Sequence, residues 1–214
     1  MNFSFYVITS EALDFKRSHL DVVEAAIEGG ATVIQFREKN KNTVELFKIA
    51  RELHRRTRAA NVPLIINDRL DIAQAVGAEG VHLGKEDMPV KVARRILGRS
   101  AIIGASCGNV KDALKAESDG ADYIGVGPIF PTITKKNARK PIGIDGLIDI
   151  KNYVDIPVVA IGGISSDNIQ SVMEAGADGV AIISAVAVAP DMKEESHVLF
   201  EKIKRSRRSN CESK

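Results

Sequence analysis

Eight short apolar runs punctuate the chain, and between them apolar residues fall three and four apart. The runs are Phe5–Thr9, Val33–Arg37, Leu64–Asn67, Gly80–Leu83, Ile102–Ala105, Tyr123–Gly127, Val158–Ile161 and Gly179–Ile183. Several are nearly continuous in apolar residues, as strands buried on both faces are. The segments Leu20–Glu28, Thr43–Ala60, Pro89–Leu97, Val110–Ser118 and Asn168–Glu174 carry helical spacing. A Gly-Ala phrase precedes four of the strands, beginning at Gly30, Gly77, Gly120 and Gly176. Glycine there ends the preceding helix by turning left-handed. Eight β/α units with short connections predict an α/β fold, a single (β/α)8 TIM barrel over residues 1–205 with a short polar tail over 206–214. The rival is an open doubly wound sheet, which ordinarily carries a Gly-rich turn after its first strand. Thr9-Ser10-Glu11 is not such a turn.

Composition narrows the function classes. The 214 residues can bury a full core without disulfides or a structural metal. A net charge of +2 gives no reason to expect nucleic acid or a membrane surface. The basic run Lys202–Arg208 reads as a solvated helix end and tail. Cys107 and Cys211 are too few and too distant for a disulfide framework or a zinc site. No apolar stretch approaches the ~20 residues of a membrane span, and the start of the chain lacks a signal-peptide pattern. The expectation is a cytoplasmic protein acting on small molecules, with a homo-oligomer left open.

Catalytic groups of such a barrel lie at the C-terminal ends of its strands. After the second run come Gln35, Phe36, Arg37, Glu38 and Lys39. Strand alternation sends Gln35, Arg37 and Lys39 to one side, where two cations and an amide suit a polyphosphate. A charged surface turn is the plainer alternative. Asn67-Asp68 follows the third run and Asp87 lies just past the fourth. Two carboxylates on neighbouring strands can share Mg²⁺, which keeps waters and takes substrate phosphate. They can equally be helix caps, and Asp87 before Met88-Pro89 has that look. His82, inside its run, reads as interior packing. Ser106 ends the fifth run, where a turn is the simplest reading. The sixth is followed by a proline-stiffened loop bearing Thr132, Ile133, Thr134 and Lys135. Small residues after the last two runs, at Gly162-Gly163 and around Ile183-Ser184, offer backbone N–H groups to a phosphate.

Together, Gln35–Lys39, Asn67-Asp68, His82–Asp87 and Gly125–Lys135 resemble the thiamine phosphate synthase family, over nearly the whole chain. The resemblance implies a transferase that joins a hydroxymethylpyrimidine diphosphate to a thiazole phosphate and releases pyrophosphate. It implies Gln35, Phe36, Arg37, Glu38, Lys39, Asn67, Ser106 and Lys135 as contacts to the pyrimidine diphosphate. Asp68 and Asp87 become Mg²⁺ ligands, and Thr132, Ile133, Thr134, Gly163, Ile183 and Ser184 become the thiazole phosphate pocket. Arg37, Lys39 and Lys135 are the implied catalytic cations. Phe36 stands where the family often has leucine. Cys107-Gly108 stands where alanine and then histidine are common, so that turn is given no catalytic role. A thiazole tautomerase on the same barrel would not need the diphosphate and metal residues. A non-catalytic phosphate-ligand sensor would bind without releasing pyrophosphate. An enzyme of phosphosugar chemistry would place a Lys, Asp or Glu inside a strand.

Overall fold

All eight expected strands form, and they pair in chain order. The computed structural model describes residues 1–10, 17–132 and 140–212. The strands are β1 (Phe5–Thr9), β2 (Val33–Phe36), β3 (Leu64–Asn67), β4 (Gly80–Leu83), β5 (Ile102–Cys107), β6 (Tyr123–Val126), β7 (Val158–Ile161) and β8 (Gly179–Ile182). Each is parallel to the next, and β8 closes on β1 with Tyr6 opposite Ala181. That closure excludes the doubly wound sheet. The described helices are α1 (His19–Glu28), α2 (Thr43–Ala59), α3 (Leu70–Val76), α4 (Val90–Leu97), α5 (Val110–Ser118), α6 (Gly143–Lys151), α7 (Ile169–Glu174), α8 (Ser184–Ala187) and α9 (Met192–Glu212).

Local chemistry sets the element ends. Ser18 and Asp21 form a reciprocal capping box on α1, as Asn42 and Glu45 do on α2. The glycines of the Gly-Ala phrase take φ of 101°, 72°, 92° and 91° in chain order, the left-handed turn that lets each helix hand over to a strand. Helix α8, of four residues, is too short to show a period of its own. The chain remains helical through Glu212, so α9 runs on without a break past the position where the polar tail was expected to begin.

Two hydrophobic cores divide the work. The larger lies between strands and helices and includes Ile34, Phe36, Leu64, Ile66, Val81 and Leu83. The smaller fills the barrel interior with Phe3, Tyr6, Ile8, Val33, Ile65, Tyr123, Val159 and Ala181. Successive strand residues alternate between the two, so a nearly unbroken apolar run serves both. The interior carries a polar row as well. The Tyr6 and Tyr123 hydroxyls meet at 2.7 Å, Gln35 Nε2 donates to the Tyr6 oxygen at 2.8 Å, and His82 Nδ1 lies 3.0 Å from the Tyr123 oxygen. Burial pushes both tyrosine pKa values well up, so both phenols stay neutral at physiological pH.

Gly104 on β5 makes room for Tyr123, because a Cβ there would lie 2.1 Å from the ring's Cζ. Gly104→Ala is therefore expected to cost about 1–3 kcal/mol through overpacking. Thermal unfolding measures the loss; an unchanged Tm would mean that the Tyr123 ring is free to move.

Candidate active site

A cavity of about 440 Å³ opens among the C-terminal ends of the strands, above the tyrosine pair. Its wall on the β2–β5 side carries Gln35, Arg37, Lys39, Asn67, Lys85, Glu86, Asp87 and Ser106. Its wall on the β6–β8 side carries Thr132, Gly162, Gly163, Ile164, Ile183 and Ser184. Residues from both sets implied by the resemblance thus border one cavity, while Phe36, Glu38 and Asp68 are not in its lining. Ile133, Thr134 and Lys135 lie outside the described residues.

Alternation along β2 separates the charged segment into two sets. Gln35, Arg37 and Lys39 line the cavity. The side chains of Phe36 and Glu38 do not: Phe36 is buried in the outer core, and Glu38, with its side chain 3% exposed, faces His19 of α1. Of the five residues that the resemblance implies as diphosphate contacts, Gln35, Arg37 and Lys39 thus share the cavity side, as strand alternation predicts.

Asp68 and Asp87 come together. Asp68 lies close enough to act on the Asp87 carboxyl, and Lys39 Nζ is paired with Asp68. Neither caps a helix: the N-cap positions of α3 and α4 are Arg69 and Pro89, neither with a side-chain cap, and Asp87 Oδ2 instead accepts from Gly84 N at 2.7 Å. Asp68 takes φ of 61°, a left-handed conformation uncommon outside glycine. Such strain at a strand end is characteristic of functional positions. Burial raises the Asp87 pKa, and the neighbouring Asp68 raises it further. Two carboxyls in contact need a proton or a cation between them. Among the described residues no cluster of three or more His, Cys, Asp or Glu exists. A two-carboxylate site fits Mg²⁺ better than a metal that demands a full protein cage.

The floor of the cavity is more polar than its sequence suggested. His82 continues the tyrosine row outward, with Nε2 2.9 Å from Ser106 Oγ. Ser106 belongs to β5 itself rather than to a turn after it. Tyr6 and Tyr123 line the cavity and were not singled out from the sequence, and His82, read there as interior packing, lines it too. The signal available was parity: in β2, Val33 and Gln35 face inward, and register carries that parity to the neighbouring strands.

The loop after β6 rests on the turn after β7. Ile129 N and Phe130 N donate to Ile161 O and Gly162 O at 2.9 and 3.0 Å. A Cβ on Gly163, whose φ is 67°, would lie 2.6 Å from Pro131 O, so this contact requires glycine. Asn168 shapes the same turn by accepting from Ser165 N and donating to Gly163 O.

Residues 5–186 match the family described as thiamine monophosphate synthase. The chain belongs to that family. A thiamine-phosphate synthase of Chloroflexus aurantiacus is 54% identical over 192 residues, covering 90% of this chain and 88% of the relative. One of Clostridium novyi is 49% identical over 199 residues, covering 93% and 98%. The solved structure of a thiamine phosphate pyrophosphorylase from Pyrococcus furiosus superposes with a TM-score of 0.89 at 43% identity, covering 96% of this chain and 97% of that one. The family's barrel is therefore the barrel seen here, from β1 to α8. Among the described residues no helix is long and apolar enough to cross a membrane.

The carboxyl pair makes a prediction about stability. A carboxyl whose folded pKa is raised favours folding only while protonated, so its penalty grows as pH rises through that value. Asp87→Asn keeps an oxygen for Gly84 N–H and removes the repulsion. In chelator it should be more stable than the parent by about 0.5–2 kcal/mol at pH 8, with the gap closing toward pH 4. Added Mg²⁺ should stabilise the parent alone. A gap independent of pH would show that the two carboxyls do not repel.

Proposed function

We propose that the chain is a Mg²⁺-dependent transferase acting on two phosphorylated small molecules. It joins 4-amino-2-methyl-5-hydroxymethylpyrimidine diphosphate to 4-methyl-5-(2-phosphoethyl)thiazole, giving thiamine phosphate and pyrophosphate. Membership of the family and the identity to curated synthases support the overall reaction. The observation that carries the mechanism is the Asp68–Asp87 carboxyl pair, set beside Lys39 in a cavity whose opposite wall is built of small residues.

The diphosphate is assigned to the β2–β4 wall. Arg37 and Lys39 face it with positive charge, and Arg37 can grip two oxygens at once. Asp68 and Asp87 would hold Mg²⁺, which supplies positive charge to the diphosphate oxygens. Asn67, Gln35 and Ser106 offer neutral hydrogen bonds below, and His82 orients the Ser106 hydroxyl. Phe36 and Glu38 support this segment from behind. Lys135 is assigned to the same substrate on the resemblance alone.

The thiazole phosphate is assigned to the β6–β8 wall. Gly163, Ile183, Ser184 and Thr132 line it, with Ile133 and Thr134 assigned to the same pocket from the sequence. In the reaction the bond between the pyrimidine methylene carbon and the diphosphate oxygen breaks. The thiazole nitrogen forms the new bond to that carbon, and the electron pair leaves on pyrophosphate. No side chain needs to act as nucleophile. What the protein contributes is orientation of the two substrates and stabilisation of the departing charge by Arg37, Lys39 and Lys135.

Two tests follow. Mixing both substrates with Mg²⁺ should release pyrophosphate and form thiamine phosphate. Removing one charge-stabilising cation by Arg37→Ala should slow single-turnover product formation roughly a hundred- to a thousandfold. Thiazole isomerisation without pyrophosphate release would replace this reading with a tautomerase. Ser184→Asp should weaken thiazole phosphate binding and spare the pyrimidine diphosphate, as isothermal titration with each ligand would register. Equal loss of both would reject the two-wall assignment.

A further inference from the structure

Behind the charged segment that follows β2, Glu38 forms a buried polar pair with a residue that no assignment above includes. His19 is the first residue of α1, and its side chain is 2% exposed. Its Nδ1 lies 2.8 Å from Thr9 Oγ1, its Nε2 lies 3.3 Å from Glu38 Oε2, and its ring meets Phe36 edge-on at 4.8 Å. Thr9 ends β1, and its Oγ1 also accepts from Arg37 N at 3.4 Å. Glu38 Oε1 accepts from Asn40 N at 2.6 Å, and Lys41 Nζ is 3.9 Å from Oε2. The chain from Arg37 to Lys41 thus winds about one carboxylate, and that carboxylate is tied to α1.

A glutamate is almost never this buried unless paired. Burial alone would raise its pKa, yet the Asn40 amide and His19 together bring it below the ordinary carboxylate range, so Glu38 is ionised at neutral pH. An ionised carboxylate has only lone pairs to offer, so His19 presents a hydrogen on Nε2. A buried polar pair adds little net stability over apolar packing. What this one does is fix direction. With Glu38 held inward, alternation turns Arg37 and Lys39 toward the cavity.

We propose that His19 and Glu38 are positioning residues that hold Arg37 and Lys39 in the geometry that receives the diphosphate, with Thr9 as the link to β1. This rests on the assignment of the β2–β4 wall to the diphosphate. The pair touches no substrate and acts only through the two cations.

The test is isothermal titration of the full chain with pyrophosphate in Mg²⁺ and, separately, with thiazole phosphate, alongside KM for each substrate. His19→Ala and Glu38→Ala should weaken pyrophosphate on the order of 10-fold or more, the usual effect of losing a group that orients a ligand-binding residue. Thiazole phosphate binding should stay as in the parent. His19→Gln, which can still donate to Glu38, should recover most of the loss. If His19→Ala does not fold, Thr9→Val removes the shared hydroxyl at constant shape and should show the same selective loss. Lys39→Ala separates the two levels of argument. Weaker pyrophosphate in Lys39→Ala with no change in the His19, Glu38 and Thr9 variants overturns the positioning role and leaves the wall assignment standing. Parent-like binding in Lys39→Ala overturns both. Parallel loss of both ligands in the His19 and Glu38 variants also overturns positioning, because the pair then only holds the barrel together.

Discussion

A barrel of eight strands has an interior just wide enough for side chains to fill, and everything at the mouth stands on how that interior is filled. Here the filling is decided by the contact between the Tyr6 and Tyr123 hydroxyls, which joins β1 to β6. Two buried phenols need each other as partners, because an unpaired hydroxyl in that position would cost more than the bond gains. Their rings close the barrel below the cavity. Gln35 and His82 are in turn oriented by them, and His82 passes the constraint to Ser106. The row is continuous from the dry interior to the ligand space. Mutual polarisation in such a row stiffens each member.

Strand order and barrel closure were legible in the sequence because alternation of apolar strand and amphipathic helix leaves few other topologies. The Gly-Ala phrases marked the handovers correctly for a local reason: a left-handed residue is needed wherever a helix must stop short of a strand. Parity within strands was less legible. In β4, Val81 and Leu83 face helices while His82 faces the cavity, and a run buried on both faces does not announce which is which. Tyr6 and Tyr123 hid the same way, since a tyrosine reads as apolar until its hydroxyl is seen to have a partner. The four-residue helix α8 hid for want of length.

At the mouth, the sequence could propose that Asp68 and Asp87 were close but could not choose between capping and metal binding. Backbone geometry removes the capping reading. A φ of 61° at Asp68 turns that residue off the strand, and the Gly84 amide draws Asp87 back from its own helix. Both features spend conformational freedom to bring like charges into contact, which is unfavourable for an empty protein. Function explains the arrangement better than stability does. Glu38 shows the converse: an acid in the middle of a binding motif whose place is inside the fold.

The closing seam of the barrel bears on how the molecule is made. β1 pairs with β8, and Gly179 is required there because a Cβ would lie 1.9 Å from Phe3 O. On the outside, Ser196 of α9 packs against Gly29, where a Cβ would lie 2.2 Å from its own Cβ, and Phe200 covers Gly30. The first β/α unit is therefore completed by the last. During synthesis from the N-terminus, one edge of β1 stays unpaired until β8 has emerged, and α1 lacks its cover until α9 follows. For that interval the nascent chain carries an open strand edge of the kind that invites pairing with other chains. The ribosome and its attendant chaperones meet this protein as an unsealed sheet, and only the emergence of β8 and α9 converts it into a ring without edges.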